Sequence, residues 1–83
     1  MKLLYFAWVR QKVGKGEETL TPPPEVSTVR DLARYLCALG PGYAEAFGDE
    51  KRLRAAANMV HVGFDASIGP DDEIAFFPPV TGG

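Results

Sequence analysis

Thr28-Val29-Arg30-Asp31-Leu32-Ala33-Arg34-Tyr35-Leu36-Cys37-Ala38-Leu39-Gly40-Pro41 is the stretch on which the fold turns. Thr28 reads as a helix N-cap, its hydroxyl accepting from the backbone N–H of Asp31. Asp31 itself places negative charge in the first turn, where the helix dipole favours it. The pair resembles a capping box with Asp in place of the usual Glu. Val29, Leu32, Ala33, Leu36 and Leu39 recur at helical spacing and make one apolar face, bordered by Cys37. Gly40 reads as the C′ residue, and Pro41 blocks continuation. A helix with a single apolar face needs a surface to lie on, and the flanking sequence supplies strands.

On the N-terminal side, Leu3 to Val9 is a short aromatic and aliphatic run between Lys2 and Arg10, which predicts a strand. Gly14-Lys15-Gly16 signals a turn, and Glu17 to Thr21 is expected to pair back as a hairpin. Pro22-Pro23-Pro24 ends that strand, since prolines donate no ladder hydrogen bond. On the C-terminal side, Tyr43 to Phe47 has room for one helical turn closed by Gly48-Asp49. Leu53 to Ala57 and Met59 to Phe64 read as short strands around a turn at Asn58, a residue that tolerates positive φ. Gly69-Pro70-Asp71-Asp72 is a further turn, Glu73 to Phe77 is the last strand, and Pro78-Pro79 ends it. The predicted fold is α+β: a mixed sheet with one main helix packed across it, the element order of a β-grasp, or ubiquitin-like, domain over residues 1–79. Val80-Thr81-Gly82-Gly83 follows as a flexible tail.

Strand alternation sorts the side chains. In the last strand Ile74 and Phe76 share a face, and the charged Glu73 sends Ala75 and Phe77 outward with it. In the first strand Leu3, Tyr5, Ala7 and Val9 are expected inward, and Leu4, Phe6 and Trp8 outward. Val60 and Val62 are expected inward, Met59 and His61 outward. The outer face then carries Leu4, Phe6, Trp8, Met59, His61 and Phe77. A connected apolar patch of that size rarely faces water unpartnered. Either another protein covers it, or the segment Gly42 to Phe47 folds over it.

Composition narrows the function classes. The 83 residues make one small domain with little room for a deep pocket. A net charge of −2 argues against binding a phosphate backbone, so no nucleic-acid partner is expected; Lys51, Arg52 and Arg54 read as solvated surface. A single cysteine, Cys37, allows no internal disulfide and suits a reducing compartment. One Cys and one His make no zinc site, and no metal or bound cofactor is expected. No apolar run approaches a membrane span and no signal-peptide pattern is present, so the expectation is a cytoplasmic protein with no membrane partner. No base–nucleophile or paired-acid arrangement is legible, which argues against a self-contained enzyme. His61 reads as a surface or interface residue, and Asp71-Asp72-Glu73 as a solvated turn.

What remains is the end of the chain. Val80 to Gly83, fully extended, spans on the order of 13 Å. Pro78 and Pro79 limit its directions, and glycines lacking Cβ atoms pass through a narrow channel. That suits delivery of a terminal carboxylate into another protein's active site. A carboxylate is a poor electrophile, but as a mixed anhydride with AMP it yields to a sulfur donor and becomes a thiocarboxylate.

Asp72-Glu73-Ile74-Ala75-Phe76-Phe77-Pro78-Pro79-Val80-Thr81-Gly82-Gly83 resembles the C-terminus of the molybdopterin synthase small-subunit family, and Lys2 to Arg10 resembles that family's first strand. The resemblance implies a β-grasp sulfur carrier. An adenylyltransferase would activate Gly83 at the expense of ATP, and a sulfurtransferase would make the thiocarboxylate. The tail would then enter the large synthase subunit, in a heterotetramer, and pass sulfur to cyclic pyranopterin monophosphate during molybdenum cofactor biosynthesis. It also implies that Phe6, His61, Phe77, Pro78 and Pro79 face the partner, although the family usually has an aliphatic residue where His61 stands. A sulfur carrier of another, thiamine-type pathway and a ubiquitin-like protein modifier share the Gly-Gly ending and are the alternatives.

Overall fold

In a computed structural model, which describes residues 1–79, five strands form one mixed sheet. In chain order the elements are β1 (Lys2–Tyr5), α1 (Ala7–Val13), β2 (Glu17–Thr19), α2 (Val29–Cys37), α3 (Pro41–Phe47), a 3-10 turn (Glu50–Arg52), β3 (Arg54–Ala57), β4 (Val60–Val62) and β5 (Glu73–Phe77). The strand order is β2-β1-β5-β3-β4. β1 runs parallel to β5 at the centre, with Leu3 opposite Ile74 and Tyr5 opposite Phe76. The other pairings are antiparallel.

The long helix forms as expected at its start. Thr28 accepts from the Asp31 N–H at 3.1 Å, and Asp31 in turn accepts from the Ser27 N–H and hydroxyl. Its end differs. The last turn tightens, with Ala38 and Leu39 N–H groups donating to Tyr35 and Leu36, and Leu39 is exposed rather than part of the buried face. Gly40 does not close α2 in a left-handed conformation. It is extended and precedes α3, for which Pro41 is the first residue, where a missing N–H costs nothing. The expected helical turn around Tyr43 to Phe47 is thus a helix in its own right.

The first strand is shorter than its apolar run. It stops at Tyr5, and Ala7, with φ of 54°, turns the chain into α1. Alanine carries the Cβ that makes this region unfavourable, a cost of about 1–2 kcal/mol that the surrounding fold must offset. Gly14, at φ 93°, caps α1 and donates to the Arg10 carbonyl at 2.8 Å. β2 still pairs antiparallel with β1, so the pairing is as expected while the connection is a helix, not a tight hairpin. Trp8 leaves the sheet altogether and lies on α1, with the Arg52 guanidinium 4.7 Å above its ring. Ala7 is exposed, but Val9 is buried by the helix much as it would have been by a strand.

The core lies on one side of the sheet. Leu3, Tyr5, Ile74 and Phe76 meet Val9, Val29, Leu32, Leu36, Phe47 and Leu53. Phe47 packs edge-on against both Phe76, at 4.9 Å between ring centres, and Tyr5, at 5.9 Å. α3 therefore sits against the core with α1 and α2, and does not cover the outer face. Gly42 is where α3 meets α1: a Cβ there would lie 2.3 Å from the Lys12 carbonyl oxygen.

Polar groups lock the periphery. Tyr5 and Tyr43 each donate to Glu18 at 2.6 Å, and Lys15 donates at 3.2 Å. Burial, and then the bond to Glu18, push the Tyr5 phenol far above its ordinary range. Burial opposes the Glu18 charge, but the bonds from Tyr43, Tyr5 and Lys15 outweigh it and hold the carboxyl below the usual value. Arg30 makes a two-pronged contact with Glu50 at 3.0 and 3.1 Å and pairs with Asp65, tying α2 to the segments on either side of β3 and β4.

Candidate functional site

The register of the sheet defines the outer face row by row. Across its middle run Glu17, Leu4, Ala75, Ala56 and His61, each opposite the next. Beyond that row, toward the end of β5, lie Phe77 and its register partner Arg54. Phe6 follows β1 at the same end, its N–H donating to the Phe76 carbonyl at 3.1 Å. At the opposite end sit Lys2, Thr19 and Glu73.

Of the residues singled out in the sequence, Phe6, His61 and Phe77 come together here. Phe6 is 49% exposed, an unusual state for a phenylalanine. The His61 and Phe77 rings lie 5.2 Å apart in a tilted stack. Pro78 and Pro79 follow directly and are half-buried. Leu4 is half-buried in the middle of the face. Trp8 is not on it, because α1 carries it away. Met59 is 89% exposed, but it occupies the β3–β4 turn, where Asn58 and Met59 both take positive φ (51° and 70°), rather than a strand position. Val60 is on the core side of its strand as expected, yet β4 is an edge strand and Val60 is 64% exposed. Val80, Thr81, Gly82 and Gly83 fall outside the described residues.

Two contributors were missed in the sequence, Arg54 and Ala56, whereas Ala75 faces outward as the parity of β5 predicts. Arg54-Ala55-Ala56-Ala57 has no polar–apolar alternation, so only pairing reveals that Ala55 faces the core while Arg54 and Ala56 face out. The two alanines leave the middle of the face flat, and the large rings stand toward the end where β5 finishes.

Two hydrogen-bonded devices anchor β5 at its other end. The β3–β4 turn is held to the start of β5 by Asn58, which donates to Asp72 at 3.0 Å and accepts from the Glu73 N–H at 3.0 Å. The Asp72 carboxyl, bonded first by Asn58 and then by the Gly69 N–H, lies below its usual range. These contacts fix the start of β5, and β1 and β3 on either side carry it to Phe77. Among the described residues no group of three or more His, Cys, Asp or Glu side chains is placed to hold a metal ion, and no helix is long and apolar enough to cross a membrane.

A mixed five-stranded sheet with its helices on one side and a parallel central pair is the ubiquitin-like β-grasp. The chain belongs to the ThiS family, whose model matches residues 3–83, and within it to the molybdopterin synthase sulfur carrier subunits. It is 41% identical to the molybdopterin synthase sulfur carrier subunit of Escherichia coli, over 100% of this chain and 99% of that one. The same-named protein of Dictyostelium discoideum is 32% identical over 99% and 94%. Among solved structures, SAMP1 from Haloferax volcanii superimposes with a TM-score of 0.76 at 25% identity, covering 100% of this chain and 98% of that one. A putative molybdopterin converting factor, subunit 1, from Pyrococcus furiosus gives 0.68 at 27% identity, over 95% of each.

Proposed function

We propose that this chain is the sulfur carrier of a molybdopterin synthase and that its sulfur is held by the carboxyl group of Gly83. The carrying observation is the end-to-end match to proteins of that name, 41% identical over the whole chain in one case. The geometry supports it: β5 ends beside the exposed Phe6–Phe77 end of the outer face, so a partner docked there would meet the chain exactly where the tail departs. The large synthase subunit is that partner, with Phe6, His61, Phe77, Pro78 and Pro79 at the contact.

The chemistry follows from the weakness of a carboxylate as an electrophile. An activating adenylyltransferase joins the Gly83 carboxylate to AMP from ATP, releasing pyrophosphate. A sulfur donor, supplied by a sulfurtransferase, displaces AMP and leaves a thiocarboxylate. Inside the large subunit the sulfur passes to cyclic pyranopterin monophosphate. The product of that transfer is the molybdopterin dithiolene, whose two sulfur atoms require two loaded carriers. The chain contributes delivery, and its partners contribute catalysis. Small size, net charge −2 and a thiol-bearing Cys37 fit work in the cytoplasm.

Intact-mass measurement tests this. Full-length chain incubated with its activating enzyme, ATP and a sulfide source should gain the mass difference between sulfur and oxygen, located at Gly83 by fragmentation. An unchanged mass would refute the proposal. A second reading, a protein modifier joined through Gly83 to lysines, is favoured by the likeness to SAMP1 and to the small archaeal modifier protein 1 structure, both with a TM-score of 0.76. Conjugates of higher mass that disappear when Gly83 is deleted would support that reading beside the first.

A further inference from the structure

An apolar patch alone does not explain the charges placed around it. Arg54 stands opposite Phe77, so its side chain leaves β3 on the outer face directly beside that ring. Its Nη1 donates to the Leu53 carbonyl at 2.8 Å, which braces the guanidinium, and it forms no ion pair among the described residues. Arg52, its neighbour in the basic run, is instead committed to the Trp8 ring. On the other flank, Arg10 lines a shallow depression with Leu4, Phe6, Gly16 and Glu17, and likewise has no ion pair among the described residues. The carboxylates of the face lie near Lys2: Glu17 is bridged to it at 3.3 Å, and Glu73 is its register partner on β5. The face is therefore polarised: guanidinium groups unpaired among the described residues flank the aromatic end where β5 finishes, Glu17 in the middle row is paired with Lys2, and Glu73 lies at the opposite end.

We propose that the docking partner, which under the proposed function is the large synthase subunit, presents carboxylates to Arg54 and Arg10 around the pocket that receives Phe6 and Phe77. A guanidinium fork matches a carboxylate in two hydrogen bonds, and such pairs set register as well as adding attraction. Register matters here because the middle of the face, built on Ala56 and Ala75, is flat and offers little resistance to rotation of one protein on the other. A tail reaching only on the order of 13 Å delivers Gly83 to one place only when that rotation is set. Charge at one end of the patch supplies the setting and steers the encounter.

The test measures affinity and association rate of the full chain for the large subunit at low and high salt, with Arg54→Glu, Arg54→Met and Phe77→Ala compared to the unaltered chain and each variant checked for an unchanged melting temperature. Arg54→Glu should bind at least ~10-fold more weakly at low salt, mainly through slower association, with the gap narrowing as salt rises. Arg54→Met should fall between, with a flatter salt dependence. Unaltered affinity of Arg54→Glu, or a loss indifferent to salt, overturns the inference. If Phe77→Ala weakens binding and Arg54→Glu does not, the docking face stands and the charge argument alone falls. If the unaltered chain does not bind the large subunit, the proposed function falls with it.

Discussion

β5 runs between two surfaces of opposite character. On one side Ile74 and Phe76 are fully buried under three helices; on the other Ala75 and Phe77 remain half-covered beside an exposed Phe6 and His61. Both sides are rich in apolar atoms, so hydrophobicity does not separate them. What separates them is cover: the first side is closed by this chain's own helices, and the second is not. The inner side should therefore carry stability and the outer side association.

Substitutions can break that division of labour. Phe76→Ala, which removes a ring wedged against Phe47, should cost the most, about 3–5 kcal/mol of unfolding free energy, read from urea denaturation. Gly42→Ala should come next, at about 1–3 kcal/mol, because its Cβ forces α3 away from the Lys12 carbonyl; a neutral result would mean that the two helices separate freely. Phe77→Ala should leave the unfolding curve nearly in place while weakening large-subunit binding by more than ~1 kcal/mol, measured by calorimetry. A large stability loss with no change in binding would reverse the assignment of the two faces.

The smallest effect sharpens the comparison at its edge, and it is a pH dependence. Glu18, Asp31, Glu50 and Asp72 all have carboxyl groups held below their ordinary values in the folded chain. A depressed folded value means stability that is present above the unfolded carboxyl range and lost as pH falls through the folded one. The melting temperature should therefore drop as pH falls from about 5 toward 2. Glu18→Gln should flatten part of that drop, since Glu18 bonds the two tyrosines at the core's margin. An identical pH profile in that variant would show that Glu18 is not among the groups responsible.

Much of this arrangement was legible in local chemistry. The Thr28 cap, the buried stripe of Val29, Leu32, Ala33 and Leu36, the Asn58 turn and the parity of β5 depend on neighbours within a few residues, and all appear as expected. Leu3 to Val9 misled because a continuous apolar run satisfies a buried strand and a buried helix equally. Nothing local announces that Ala7 will adopt a positive φ and end the strand. The Arg54-Ala55-Ala56-Ala57 run was mute for the complementary reason: its alternation is invisible until a partner strand imposes a register. For the same reason the aromatic members of the docking face were found and Arg54 was not.

The sequence by itself determined the capped helix, the inward pair Ile74 and Phe76, and the family to which the ending from Phe76 to Gly83 points, because caps, alternation and a terminal motif are properties of adjacent residues. Tertiary structure alone decided that Trp8 leaves the sheet, that α3 packs with the core instead of over the outer face, and that Arg54 stands beside Phe77. Those outcomes rest on pairing and packing between residues far apart in the chain, and no window along it contains them.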